Sequence, residues 1–543
     1  MKNKALAAPY LVWMALFTIV PLAIVAYYAF TDAATGEFTF ANIANLGNYM
    51  PILIKSIWLA LISSLICIVI GYPVAYFIAN CKETTQRFLY MLVMLPMCIS
   101  FLLRTLAWVA LTEDTGIINN FITAIGLQPL PLIRNNGAVV LGMVYNYLPY
   151  MIMPLYTVIM KIDRRLIEAA QDLGCNSVNV FKRVILPLSV PGIISGFTMV
   201  FVPAVSTFYI SQKLGSSGTT LIGDVIESQF KTAYNPNLGA ALSLILMVMI
   251  FICIGVMNRF GGRDAVKNFN KVFTVIVLLF LYIPMIVLAV GSFNSGMDIA
   301  VFKSFTFDNY KELFRDSVLL PLLLNSVIVA LLSSIFATIL GTCAALGIHS
   351  MGPRLRRFTM GVTNIPLTNP EIVTGVSLAL LFAFVGTMMK INNILGFATL
   401  LIAHITFNLP YVILSVMPKL KQMDPNLREA ALDLGCTPWQ AFYKVVIHEI
   451  TPGIVSGALM AFTMSLDDFV ISYFVYGPRF VTLPVEIYNY TKKPLQPKIY
   501  ALFTLLFAAI LIVMVLMNLL QERDAKRSRE NRRAFRRGKK VGA

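Results

Sequence analysis

The chain has 543 residues, is 58% hydrophobic and only 13% charged, and carries a formal net charge of +17. A soluble domain carries roughly 25% charged residues, so this composition excludes a soluble enzyme and points to an integral membrane protein. Its apolar runs reach the ~20 residues a spanning helix needs. In lipid such spans must be helical, because every backbone polar group has to be paired within the segment.

Taken in order, the first half supplies spans at about 9–30, 55–80, 87–112, 138–160, 190–212 and 239–258. Lys2 and Lys4 precede the first, but no small-residue cleavage site follows it, so an uncleaved span is expected rather than a signal peptide. A short basic segment, 259–270, leads to six more spans at about 271–293, 324–349, 358–387, 397–417, 452–476 and 498–520. The tail, 521–543, holds ten Lys/Arg against three Asp/Glu and is expected to lie on an anionic inner leaflet. No nucleic-acid partner is expected, because no nucleic-acid-binding fold accompanies the charge. The seven cysteines (67, 81, 98, 175, 253, 343, 436) show no CxxC spacing and read as free thiols.

Lys82, Arg87, Lys161, Arg164, Arg165, Arg354, Arg356 and Arg357 fall in segments that must share a side, whereas 31–54 has no Lys or Arg. By the positive-inside rule both termini face the cytoplasm. Six spans per half then make the halves parallel: 1–258 is one unit and 271–520 the other. The fold class is all-α and polytopic, with about twelve transmembrane helices.

The organising feature is a polar stretch that occurs twice, in the loops 161–189 and 418–451. Glu168, Ala169, Ala170, Asp172 and Gly174 recur as Glu429, Ala430, Ala431, Asp433 and Gly435, at an offset of 261. Across 168–193 and 429–454, 12 of 26 positions are identical. Asp163 and Asp424-Pro425 read as helix starts, and Asn176-Ser177 and Thr437-Pro438 as second starts. The glycines read as left-handed stops. Pro191-Gly192 and Pro452-Gly453 are expected to end each unit, giving a helix–turn–helix outside the bilayer. Repetition continues elsewhere: Ser56 and Gly71 align with Ser326 and Gly341 at offset 270.

These two loops resemble the cytoplasmic coupling loop of ABC importer permeases, in which Glu-Ala-Ala is followed after three residues by Gly. Cys175 and Cys436 stand where that family commonly has Ala. The resemblance implies two fused type I permease units, docking on two ATPase subunits through the residues named above. No GxxxxGK[ST] phosphate loop occurs in the chain; the nearest string, Gly538-Lys539-Lys540, lacks the upstream Gly and the hydroxyl residue. ATP and Mg are therefore expected on the partner subunits, and the chain is expected to bind no cofactor, to hold no metal and to have no catalytic residue.

Ionisable groups within a bilayer are costly and default to functional candidates. Asp467, Asp468 and Glu371 qualify, the last preceded by Pro370, which favours a helix break lining a cavity. Acids at matched depth suit a cationic cargo, and Trp108, Tyr145 and Tyr209 are candidates for cation–π contacts. The structural alternative is that Asp467 or Asp468 caps a helix break or pairs with Arg104. Adjacent residues on one helix point ~100° apart, so Asp467 and Asp468 are not expected to face one ligand.

Leu103-Arg104-Thr105-Leu106-Ala107-Trp108 and Phe208-Tyr209-Ile210-Ser211 resemble one permease subunit of the spermidine/putrescine importer family. Asn369-Pro370-Glu371-Ile372-Val373 and Ser465-Leu466-Asp467-Asp468-Phe469-Val470 resemble the other. The resemblance implies polyamine import with an extracytoplasmic binding protein. Ferric iron, thiamine or a phosphonate are alternative cargoes, and an ion-gradient secondary transporter is the alternative mechanism.

Overall fold

A computed structural model describes residues 4–33, 35–98, 100–260, 271–297, 301–424, 426–492, 496–509 and 511–512. Its helices are α1 Ala5–Ala29, α2 Ala41–Asn80, α3 Glu83–Met94, α4 Phe101–Thr112, α5 Asn136–Ile159, α6 Arg164–Asp172 and α7 Phe181–Ser206. Then follow α8 Tyr209–Leu214, α9 Ile222–Lys231, α10 Pro236–Phe260, α11 Lys271–Gly291, α12 Asp308–Arg315 and α13 Leu319–His349. The rest are α14 Pro353–Thr363, α15 Glu371–Met389, α16 Phe397–Gln422, α17 Asn426–Asp433, α18 Pro438–Asp467, α19 Val470–Val475, α20 Leu483–Tyr490 and α21 Pro497–Ala509. Among the described residues ten helices are long and apolar enough to cross a membrane, or eleven if the pair bent by 85° after Met97 counts as one span. The expected last span, 498–520, is described only through α21 and residues 511–512; the expected linker is described only at 259–260, and the tail 521–543 lies outside the described residues.

The chain folds into two compact units. The larger comprises Met1–Pro284 and Asp316–Pro494. Within it the duplication is visible as packing: α2, α5 and α7 pack on one another, and α13, α16 and α18 form the matching triad. Lipid tails are as apolar as Leu, so helix association relies on close backbone approach at small residues. Gly71 meets Met151 on α5, and its counterpart Gly341 meets Val412 on α16, the position equivalent to Met151. The hydrogen bonds repeat as well. The Ile222 N–H donates to Ser56 Oγ at 2.8 Å, and the Leu483 N–H donates to Ser326 Oγ at 2.8 Å. The first span belongs to the second triad's core, where Ala7, Tyr10 and Met14 pack with Ala344, Ile348 and Val416. Tyr10 Oη lies 2.6 Å from Thr363 Oγ1 there.

The smaller unit comprises Met285–Arg315 and Leu495–Ala543. Its loop is tied by an isolated bridge between Asn294 and Phe305, with Phe293 stacked on Phe305 at 5.2 Å. The larger unit uses the same device after α1, with a bridge from Thr31 to Phe38 and Phe30 stacked on Phe38 at 5.8 Å.

Two local expectations are corrected. Pro191-Gly192 and Pro452-Gly453 do not end the loop units; they lie inside α7 and α18. α7 begins with a π-helical turn, Phe181–Ile185, and α18 carries one after its first four residues, Phe442–Ile447, a geometry that accommodates irregular backbone pairing within a helix. The glycines serve packing: a Cβ on Gly192 would stand 3.1 Å from Pro154 O, and one on Gly453 2.9 Å from Ser415 O. Second, the expected spans 190–212 and 452–476 are not continuous, because α7 stops at Ser206 and α18 at Asp467.

A Cβ at Gly223 would lie 2.4 Å from Ser206 O and 2.6 Å from Thr207 O, both backbone atoms that cannot swing aside. Gly223→Val is expected to destabilise the protein by at least the ~1–3 kcal/mol typical of overpacking. The thermal midpoint of the full chain in nanodiscs measures this, and an unchanged midpoint would show that α9 is not seated on the break.

Candidate functional site

Two regions of the larger unit gather the sequence-derived candidates. The first is the repeated polar loop. Asp163 caps α6 by accepting from the Arg165 N–H at 3.0 Å, and Asp424 accepts from the Asn426 N–H at 2.9 Å; Pro425 lies outside the described residues. Gly174 and Gly435 adopt φ of +81° and +85°. The Cys175 N–H bonds Ala170 O and the Gly174 N–H bonds Gln171 O; Cys436 with Ala431 and Gly435 with Leu432 repeat this pair. This 6→1 plus 5→2 pattern is a Schellman stop, which requires the left-handed glycine. Thr437 and Gln440 then form a capping box for the second helix.

The loop's outward side is what a docking surface requires. Glu168, Ala169, Asp172, Gly174, Glu429, Ala430, Asp433 and Gly435 are exposed, Ala170 is half-buried and Ala431 is buried. Leu173 and Leu434, equivalent residues, are each 86% exposed. Trp439 and Tyr443 are each 68% exposed. Together these side chains form an exposed apolar set beside the glycine stops.

The second region lies where four helices are interrupted at matched positions. Ser100 precedes α4 and Pro370 precedes α15. Thr207 and Phe208 separate α7 from α8, and Asp468 and Phe469 separate α18 from α19. The short helices α8 and α19 coincide end to end under the 261-residue offset. Interrupted helices occur inside a membrane protein where the freed backbone is buried in protein or lines a cavity.

The three acids gather here. Glu371 is the first residue of α15, where the helix dipole favours a negative charge. Its side chain is exposed, although it sits within electrostatic reach of Asp467, Asp468 and Tyr147. Asp468 is buried and caps α19, accepting from the Ser472 N–H at 2.8 Å and the Ser472 hydroxyl at 2.9 Å. His404 Nε2 lies 3.5 Å from Asp468 and 2.8 Å from Ser472 Oγ, while its Nδ1 is 2.5 Å from Ser465 Oγ. Asp467 ends α18, the negative pole of a helix, and therefore needs a cation. Arg104, 3% exposed, is near enough to act on it. Because the helix breaks between the two aspartates, the ~100° rule for neighbours on one helix does not apply, and their directions are set separately.

The three aromatic candidates are placed differently from the acids. Trp108, Tyr145 and Phe280 pack mutually at 5.4–5.6 Å, and the Tyr145 hydroxyl donates to Leu281 O at 2.9 Å. Tyr209 is fully buried in a cluster with Phe101, Phe469 and Tyr488 at 5.7–6.4 Å.

Sequence reasoning missed the network beyond the breaks. Tyr473 donates to Glu227 Oε1 at 2.7 Å, and Tyr488 donates to Gln212 Oε1 at 3.2 Å. Under the 261 offset Gln212 matches Tyr473 and Glu227 matches Tyr488, so the two bonds are one contact repeated about a pseudo-two-fold axis. Lys213 Nζ also donates to Thr491 O at 2.5 Å. The available signal was the offset itself, applied to polar positions outside the spans.

Comparison with known proteins gives a consistent result. The chain is 36% identical over 256 residues to the spermidine/putrescine transport system permease protein PotB of Haemophilus influenzae, covering 46% of this chain and 90% of that protein. It is 38% identical over 269 residues to the putrescine transport system permease protein PotI of Escherichia coli, covering 48% and 95%. The crystal structure of a bacterial ABC transporter involved in alginate import aligns over 47% of this chain and 92% of that chain, at 19% identity and a TM-score of 0.40. One family profile matches twice, over residues 68–263 and 337–529, and the chain thus belongs to the binding-protein-dependent transport system inner membrane components.

Proposed function

We propose that this chain is the complete membrane pathway of an ATP-driven importer that brings spermidine and putrescine into the cytoplasm. The observation that carries the reading is the pairing of polyamine permease relatives, each matching about half the chain, with three carboxylates gathered at interrupted helices. The chain is a transport component and does no chemistry itself. Two ATPase subunits would take the exposed coupling loops, and a binding protein would deliver cargo at the opposite face. Positive charge flanking those loops supports their cytoplasmic placement, with both termini on the same side. The proposed units are 1–258 and 271–520, joined by a cytoplasmic linker.

Closure of the ATPases would pull the loops together and turn α7 and α18, each continuous with its loop through the π-helical turns, about the breaks at Thr207 and Asp468. Carboxylates at Asp467 and Glu371 would replace the water lost by an alkylammonium entering the cavity.

The test is uptake into proteoliposomes containing this chain with its ATPases and binding protein. ATP-dependent accumulation of spermidine or putrescine is expected. Stimulation by ferric iron, thiamine or a phosphonate instead would replace the cargo, and uptake without ATP would replace the mechanism.

A further inference from the structure

Beyond the breaks, α8, α9, α19 and α20 and the residues just after them bring three lysines onto aromatic rings. Lys231 Nζ lies 4.6 Å from the Tyr473 ring centroid, 5.1 Å from Tyr476 and 5.6 Å from Phe474. Lys492 Nζ lies 5.0 Å from Tyr488, and Lys213 Nζ 6.0 Å from Tyr209. Only Lys231 meets three ring faces. It is also within electrostatic reach of Glu227, whose carboxylate is buried and fixed by the Tyr473 hydroxyl. Ring faces plus one held carboxylate make a receptor for an ammonium group. The occupant seen here is the protein's own butylammonium arm, chemically the end of an alkyl polyamine.

We propose that Tyr473, Tyr476, Phe474 and Glu227 form a second, outward-side binding site for a primary alkylammonium, and that Lys231 occupies it until cargo displaces it. This rests on the polyamine reading above and adds a subsite separate from Asp467 and Glu371. Lys231 is a poor permanent occupant. Burial outweighs the pull of Glu227 and, together with the like charge of Lys492, lowers its ammonium to about 8. The hydration that a displaced Lys231 recovers offsets what the incoming ammonium loses, so the exchange is close to balanced. The tether also explains the closed aromatic cluster: Tyr473 packs on Phe469 at 5.2 Å and on Tyr488 at 5.0 Å, so moving Lys231 frees rings that border the break.

A site that is occupied by its own side chain shows an apparent affinity reduced by the fraction of time it is free. Lys231→Met removes the occupant while keeping length and packing. Radiolabelled putrescine binding to the full chain in nanodiscs is expected to tighten about tenfold in Lys231→Met. Lys231→Arg keeps the cation and is expected to bind as wild type does. Glu227→Gln is expected to weaken binding about tenfold in the Lys231→Met background, where no internal ammonium competes for the carboxylate. The gain from Lys231→Met should persist in Asp467→Asn, which separates the outer site from the inner acids. Excess n-butylamine should compete, whereas n-butanol should not. Unchanged or weaker binding in Lys231→Met with an unaltered thermal midpoint overturns the proposal, as does a gain that vanishes in Asp467→Asn. If Lys231→Met does not fold, a failure of n-butylamine to compete with putrescine in Asp467→Asn overturns it alone. Wild type that binds and transports no polyamine refutes the functional reading instead, which is a different outcome.

Discussion

Leu173→Asp combined with Leu434→Asp is expected to reduce ATP-driven uptake by about 100-fold or more, with no change in thermal midpoint. Each leucine is 86% exposed, so neither contributes to the chain's own packing. Covering a leucine is worth ~1.5–3 kcal/mol, and two lost docking leucines therefore cost more than ~3 kcal/mol, or over 100-fold in a binding constant. A carboxylate in the same groove adds a desolvation penalty. Co-purification of the ATPase with the doubly substituted chain measures binding directly. Normal uptake and normal co-purification would show that these stops are only exposed loop corners.

Asp467→Asn is expected to lower polyamine uptake by about 10- to 100-fold, the range for losing one hydrogen bond to a charged group at ~1.5–3 kcal/mol. Asn keeps the shape of the side chain, so the loss falls on charge. Glu371→Gln should produce a similar loss from the other interrupted helix, and its exposed side chain makes a folding defect the lesser concern. Arg104 supplies the control. If Arg104→Gln restores uptake to Asp467→Asn, the aspartate serves the arginine rather than the cargo, and the cation site must be sought at Glu371.

The duplication was legible because a polar stretch between apolar runs has no reason to recur in register except a shared role. The stops at Gly174 and Gly435 were equally legible, since a left-handed residue after Glu-Ala-Ala has one economical chemistry. The break before Glu371 was announced by Pro370. The break at Asp468 was legible only as the alternative that an aspartate caps a helix break, and the one at Thr207 was not, because Ser206-Thr207 and Asp467-Asp468 sit in runs otherwise apolar enough to pass as continuous spans. Their signal was a capping residue followed four positions later by Ser211 or Ser472, weak beside the hydropathy. Aromatic identity did not distinguish a pathway face from a packing face: Tyr145 and Trp108 pack together with Phe280. The partners of His404 were not legible either, since Ser465 and Asp468 lie more than 60 residues away in sequence.

The two halves have not diverged evenly. The stops at Gly174 and Gly435 share φ, hydrogen bonds and leucine exposure almost without difference. Around the breaks, Asp467 faces Ser206 as its counterpart, Asp468 faces Thr207, and Glu371 faces Phe101. A motor that meets two copies of one surface can be a pair of identical subunits, each delivering the same stroke. The three carboxylates at the breaks, however, all come from the second half. Cargo would therefore leave an inner seat built by one half under a two-sided push, whereas the outer site draws Glu227 and Lys231 from the first half and the rings of Tyr473, Phe474 and Tyr476 from the second.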